Sequence, residues 1–145
     1  MLLFAVLQPH LLKFYHLNRM DWYSSLNKAS LNPPSWIFSP VWTFLYILIA
    51  YSFYLYLTSK GPGLRLGVIV FILHMITNFA WAPIFFVLKQ PTWALVDIGL
   101  MLLTLVYTIY LFNKRSALAA ALLLPYLAWV SFATYLNSEI VRLNK

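Results

Sequence analysis

The chain has 145 residues, of which 63% are hydrophobic and only 9% are charged. These few polar groups cannot coat a water-soluble globule of this size, so the composition is typical of a membrane protein. Ten Lys and Arg residues against three acidic residues give a net charge of +7, but the basic residues stand singly between apolar runs. Nucleic-acid binding is therefore disfavoured, because a surface that tracks phosphates needs clustered charge. With no cysteine, the chain has no disulfide framework, thiolate chemistry or cysteine-ligated metal.

The chain begins with a mostly apolar segment, residues 1–17, which also contains several polar residues. We interpret this segment as a short, partly polar first transmembrane helix. A signal peptide is disfavoured because no basic leader precedes the segment and no small-residue cleavage site follows it. Two alternatives stay open, namely an interfacial segment and translation that begins at Met20.

Four later runs are long enough to cross a bilayer, whose hydrocarbon core of about 30 Å requires about 20 apolar helical residues. Each run is bounded by Pro, Gly or charged residues, and the runs cover residues 36–58, 64–88, 92–112 and 117–141. Because the connectors are only a few residues long, we expect antiparallel neighbours in one compact bundle. The prediction is an all-α, polytopic membrane protein in which residues 1–145 form a single five-helix domain. The loop charges are too evenly divided to predict its sidedness, and the sequence does not specify the membrane.

Motifs for catalysis by side chains are scarce. The three histidines form no paired metal-binding motif, the carboxylates suggest no dyad by their spacing, and no Gly-rich phosphate loop is present. Asp97 lies inside the third of the four long runs, where a carboxylate is costly and should face the bundle interior with a partner. Asn78 and hydroxyls of neighbouring helices are the candidate partners. A hydrogen-bond clamp between helices is a more common role for such a residue than proton transfer or ligand binding.

A polar and aromatic stripe follows one face of the second long run. His74, Thr77, Asn78 and Trp81 have the i, i+3, i+4, i+7 spacing that places side chains on one side of a helix. Such a stripe either joins helices by hydrogen bonds or lines a pocket. For His74 and Thr77 the joining role is the preferred interpretation.

Pro40, Pro83 and Pro125 each lie within a long apolar run, where each removes a backbone hydrogen bond. Three kinked helices rarely pack without a gap, and the residues near these prolines are heavily aromatic. Aromatic walls around such a gap suit a flat, largely apolar ligand with few polar groups. Sterols, porphyrins and drug-like aromatic molecules fit that description, although each tryptophan alone is equally explained by core packing or by anchoring at the membrane interface.

Several segments occur in the order found in one membrane protein family. They are Trp22-Tyr23, Asn32-Pro33-Pro34-Ser35-Trp36, Ser39-Pro40-Val41-Trp42, Asn78-Phe79-Ala80-Trp81-Ala82-Pro83-Ile84-Phe85-Phe86, Trp93-Ala94-Leu95-Val96-Asp97 and Leu124-Pro125-Tyr126-Leu127-Ala128-Trp129. With these segments, residues 21–144 resemble the TspO/translocator protein family, also called tryptophan-rich sensory proteins or peripheral benzodiazepine receptors. The resemblance implies five transmembrane helices, a ligand pocket that opens toward one end of the bundle, and homodimers.

The resemblance also implies a ligand class and a set of ligand-binding residues. Family members bind tetrapyrroles such as protoporphyrin, isoquinoline and benzodiazepine-type drugs and, in some members, cholesterol; a haem-type ligand is therefore expected, with no required cofactor. The implied ligand-binding positions are Trp36, Trp42, Asn78, Trp81, Trp93, Asp97, Trp129, Ala133 and Leu136. Sterol binding is less expected, because Ser138 stands where the sterol motif of animal members has a tyrosine.

Three functions are consistent with these residues. The first is a sensor, regulator or transporter-like protein that binds porphyrins, with Trp42 and Trp129 stacking against the ligand. The second is light- and oxygen-dependent porphyrin degradation, in which some bacterial relatives use tryptophans; light and oxygen would supply the chemistry and the protein the orientation. The third is a structural or partner-binding membrane protein whose aromatic residues only fill the bundle.

Overall fold

The computed structural model describes residues 26–28 and 35–144, and over this part of the chain the structure is helical. The predicted first helix, residues 1–17, lies outside the described residues. The helices are α1 (Ser35–Thr58), α2 (Leu64–Ala82), α3 (Pro91–Asn113), α4 (Ala117–Leu122) and α5 (Leu124–Leu143). A π-helical turn, Pro83–Val87, extends α2.

Among the described residues, four helical stretches are long and apolar enough to cross a membrane. They are Trp36–Thr58, Leu64–Val87, Pro91–Asn113 and Ala117–Leu143. The four long runs predicted from the sequence are therefore confirmed, with ends that differ by no more than two residues. Large apolar side chains such as Ile72, Leu103 and Leu124 are exposed on the outside of the bundle, as lipid-facing residues should be.

The three prolines, each predicted to open a helix locally, occupy different positions in the described helices. Pro40 lies inside the continuous helix α1. Pro83 begins the π-helical turn, and Pro125 lies in the first turn of α5, just after the break at Leu123. In the first turn of a helix the missing N–H of proline has no helical partner to lose, so Pro125 starts α5 at no cost in hydrogen bonds. Pro83 instead continues α2 without a break and removes the helical hydrogen bond that an N–H at this position would make.

Helix α3 lies at the centre of the described bundle, in contact with α2, α4 and α5, whereas α1 packs mainly against α4 and α5. The core around it includes Ile98, Met101 and Leu105 of α3, all nearly inaccessible to solvent. Although the connector between α1 and α2 is short, their backbones do not pack closely. Long side chains bridge the two helices instead, as in the stacked rings of Phe53 and Phe71, whose centroids are 4.2 Å apart. The expectation that short connectors bring sequence neighbours into close packing is thus wrong for this pair.

Candidate functional site

The two tryptophans expected to stack against a ligand lie together between α1 and α5. The ring centroids of Trp42 and Trp129 are 6.5 Å apart, and the ring planes are nearly perpendicular at 88°. Both side chains are half-buried against the core. Two deeply buried tyrosines support Trp42, with centroid distances of 5.6 Å to Tyr46 and 6.3 Å to Tyr126.

Asn78 occupies the polar centre beside these aromatic rings. Its side-chain oxygen accepts a hydrogen bond from the Tyr46 hydroxyl, and its amide nitrogen donates to the Tyr126 hydroxyl. Both polar ends of Asn78 are therefore taken by tyrosines, so the expectation that Asn78 pairs with Asp97 is wrong. Asn78 joins α1, α2 and α5, which makes it part of the support for the tryptophan pair.

His74 continues the same polar cluster one helical turn away. Its Nε2 lies 2.8 Å from the Tyr126 hydroxyl, and its Nδ1 lies 3.1 Å from the Met101 carbonyl and 2.9 Å from Thr104 Oγ1. The prediction that His74 joins helices is confirmed. For Thr77 it is not, because the Thr77 hydroxyl donates within α2, to the His74 carbonyl at 2.5 Å.

Trp81 contributes to a second bridge near the π-helical turn. Its indole N–H donates to Asn137 Oδ1 at 3.0 Å, and Asn137 Nδ2 donates to the Pro91 carbonyl at 3.0 Å. This bridge ties the end of α2 to α5 and to the start of α3. The polar atom of Trp81 is thus used within the protein, and one face of its ring stacks on Phe85, with the centroids 4.9 Å apart. At most the other ring face is left for contact with a ligand.

Two buried polar atoms have no hydrogen-bond partner among the described residues, namely Asp97 Oδ2 and Trp129 Nε1. Asp97 lies one turn from both Ala94 and Met101, which are buried, so it is on the inner side of α3. A buried polar atom left without a partner costs about 1–3 kcal/mol. Trp129 Nε1 belongs to the tryptophan pair itself, whereas Asp97 is on α3, and both are atoms that a bound molecule could satisfy.

The remaining expected positions divide into inner and outer groups. Ala133 and Leu136 follow Trp129 at i+4 and i+7, so they continue its face of α5, and both are at least partly buried. Trp36 and Trp93 are instead 73% and 65% exposed. The described contacts do not bring these two side chains to the Trp42–Trp129 pair, and their role in ligand binding stays a prediction.

Sequence reasoning missed three residues of the site, Tyr46, Tyr126 and Asn137. Tyr46 follows Trp42 by four residues and Tyr126 precedes Trp129 by three, so each shares a helix face with a predicted residue. That spacing could have indicated the two tyrosines. The cross-helix bonds to Asn78 could not be read from one sequence, because they depend on which helices are neighbours.

Comparisons with known proteins agree with this architecture. The TspO/MBR family model matches residues 2–143. The chain is 41% identical over 125 residues to the tryptophan-rich protein TspO of Chlorobaculum tepidum, an alignment that covers 85% of this chain and 79% of the relative. It is 39% identical over 135 residues to the translocator protein of Homo sapiens, covering 91% and 80%. It is also 36% identical over 124 residues to the tryptophan-rich sensory protein of Cereibacter sphaeroides, covering 86% and 77%.

The family match extends over nearly the whole chain, and the four apolar helices of the described part lie within the matched residues. An integral protein that crosses the membrane several times is the arrangement that such helices require. The chain belongs to the TspO/MBR family of multi-pass membrane proteins.

Proposed function

We propose that this protein binds porphyrins and related flat, largely apolar molecules between α1 and α5, against Trp42 and Trp129. The observation that carries the proposal is the buried indole N–H of Trp129, which has no acceptor among the described residues and lies beside a second tryptophan. A flat ligand gains contact area and ring stacking from such a pair. A carboxylate or carbonyl oxygen on the ligand would accept the Trp129 hydrogen bond.

Asp97 supports the same ligand class from α3. Its unpartnered oxygen can accept a hydrogen bond from an N–H or O–H group at the edge of a ligand, such as a protonated carboxyl group of protoporphyrin. Most of the remaining surroundings are apolar, as is usual in a ligand site with a few orienting polar groups. Isoquinoline and benzodiazepine-type drugs combine flat rings with one or two polar atoms, so we propose that they compete for this site.

The first test is a titration with protoporphyrin in the dark, monitored by ligand absorbance in detergent-purified protein. We expect saturable binding that weakens about fivefold in Trp42→Phe, which corresponds to the loss of a stacking contact of about 1 kcal/mol. Trp129→Phe should lose at least as much, because it also removes the hydrogen-bond donor. Tyr54→Phe is the matched control, since Tyr54 is 59% exposed on α1 and should leave affinity unchanged.

Each outcome separates the candidate functions. If the wild type and all three variants take up porphyrin identically and without saturation, binding at this site is wrong and a structural or partner-binding role gains. Saturable binding that depends on both tryptophans supports the proposal. Loss of the porphyrin absorbance on illumination in air, but not in the dark, would add porphyrin degradation as an activity of the same site.

A further inference from the structure

One unbroken chain of hydrogen bonds crosses the described bundle beside the tryptophan pair. It runs from Tyr46 on α1 to Asn78 on α2, then to Tyr126 on α5, back to His74 on α2, and ends at the Met101 carbonyl on α3. The four side chains are each no more than 6% exposed. Four transmembrane helices therefore meet in a single polar network that water does not reach.

The direction of donation along these hydrogen bonds follows from the last acceptor, the Met101 carbonyl. Two atoms face His74 Nδ1, the Met101 carbonyl, which can only accept a hydrogen bond, and Thr104 Oγ1, whose own hydrogen is directed at the carbonyls of Leu100 and Met101 within α3. Both therefore act as acceptors for His74, so Nδ1 is the nitrogen that carries the hydrogen. In the neutral imidazole the other nitrogen, Nε2, is then an acceptor, and it takes the hydrogen of the Tyr126 hydroxyl. The opposite assignment would place a lone pair of Nδ1 against the carbonyl oxygen.

The rest of the chain follows from that step. Tyr126 has given its hydrogen to His74, so its oxygen accepts from the amide nitrogen of Asn78. The Asn78 oxygen is then directed at Tyr46 and accepts the Tyr46 hydroxyl hydrogen. Each side chain in this series of hydrogen bonds thus has a partner for the atom that it presents.

We infer that His74 is a positioning residue which, in its Nδ1–H form, directs this chain and so holds the Trp42–Trp129 wall in its binding geometry. His74 acts through Tyr126 and Tyr46, the two tyrosines that pack against Trp42. The part of this inference that concerns ligand affinity rests on the proposed function. The part that concerns the histidine itself does not.

Substitutions at position 74 separate hydrogen bonding from packing. A glutamine offers one oxygen that can accept from Tyr126 and one N–H that can donate to Met101, so it can preserve the direction of the chain. A leucine fills similar space but leaves the buried Tyr126 hydroxyl without its acceptor. Thr77→Val is the matched control, because Thr77 lies on the same helix and donates only within it.

The first experiment needs no ligand. Nitrogen NMR of protein labelled at histidine, with the His74 signals assigned by their loss in His74→Gln, reports which ring nitrogen carries the hydrogen. We expect a protonated Nδ1 and an unprotonated Nε2, whereas free histidine side chains favour hydrogen at Nε2. A His74 ring with hydrogen at Nε2 only, or a fully protonated ring at neutral pH, would overturn the inference even if porphyrin binds normally.

The second experiment is the porphyrin titration described above, applied to the position 74 variants. We expect His74→Leu to bind about tenfold more weakly, about 1.4 kcal/mol, while His74→Gln and Thr77→Val stay within about twofold of the wild type. Equal affinity for the leucine and wild-type proteins would overturn the positioning role, and so would a glutamine variant as weak as the leucine variant. If the wild type binds no porphyrin, the proposed function fails while the NMR result still decides the inference about His74.

Discussion

At the scale of single residues, a polar group in an apolar helix is easy to find in a sequence, but its partner is not. Asn78 and Asp97 both stand out among apolar neighbours, and both were predicted to face the interior. In the structure Asn78 is fully partnered by tyrosines, whereas Asp97 Oδ2 has no partner among the described residues. The sequence gives no comparable signal for Tyr46 and Tyr126, because the hydrogen-bond partner of a tyrosine hydroxyl is known only when the neighbouring helices are placed.

Because Asp97 Oδ2 has no partner among the described residues, replacing Asp97 should change protein stability and porphyrin affinity in opposite directions. In Asp97→Leu the unpartnered oxygen is removed, so the free energy of unfolding of the empty protein should rise by about 1–3 kcal/mol. Porphyrin affinity should fall, because the orienting acceptor is lost. Unfolding in a denaturing detergent and the dark titration measure the two effects separately, and Asp97→Asn keeps the shape for comparison.

The result that contradicts this prediction is a less stable Asp97→Leu protein. Such a protein would mean that the Asp97 carboxyl group forms a stabilising interaction within the folded chain. Asp97 would then be the clamp between helices that the sequence first suggested, and its part in the proposed function would be withdrawn.

At the scale of elements, hydropathy predicted the four spans well, because a membrane-spanning helix is recognised by its length and its apolar content alone. It missed the break that separates α4 from α5 at Leu123. The residues of α4 are alanine and leucine, which favour a continuous helix, so only Pro125 signals a change. That proline starts α5 rather than bending a single helix, a distinction that local sequence patterns do not make.

The approach of α2 to Tyr56 of α1 depends on one glycine, and this predicts different effects for two similar substitutions. A Cβ atom at Gly67 would collide with the Tyr56 ring, while a Cβ at Gly99 would meet nothing within 4 Å. Gly67→Ala should therefore destabilise the protein by about 1–3 kcal/mol, the usual cost of overpacking. Gly99→Ala should be neutral or slightly stabilising, because alanine is the better helix former.

Thermal unfolding of the two alanine variants in the same detergent provides the measurement. The Tyr56 hydroxyl donates to the Gly63 carbonyl at 2.5 Å, so a displaced ring would also lose this bond to the start of α2. Equal melting temperatures for the two variants would show that Tyr56 can move aside at no cost, contrary to the packing argument.

At the scale of the whole molecule, the sequence indicated a bundle of helices but not which helices touch. Short connectors suggested that α1 and α2 pack closely, yet α1 packs mainly on α4 and α5. The polar chain through Asn78 and the stacked rings of Phe53 and Phe71 reach across between α1 and α2 instead. The aromatic site lies between α1 and α5, so its position depends on which helices pack against α1. Hydropathy alone does not predict those packing partners.

Arg115, in the loop between α3 and α4, links that loop to the end of α1 by hydrogen bonds. Its Nε donates to the Tyr56 carbonyl at 3.0 Å, and its two terminal nitrogens donate to the carbonyls of Ser59 and Gly61. The guanidinium carbon also lies 5.1 Å from the centre of the Tyr56 ring. A planar group with several fixed donors can satisfy three carbonyls at the end of α1, which a lysine ammonium cannot do in the same geometry.

Arg115→Lys should therefore lower the free energy of unfolding by about 1–3 kcal/mol even though it keeps the positive charge, because the partly buried carbonyls of Tyr56 and Ser59 lose charged hydrogen-bond donors. Lys114→Ala, which removes the neighbouring charge 4.7 Å from the exposed ring of Tyr110, should change stability by less than about 1 kcal/mol. Unfolding in a denaturing detergent compares the two. If Arg115→Lys is as stable as the wild type, the guanidinium hydrogen bonds add nothing to stability beyond the positive charge that lysine also carries.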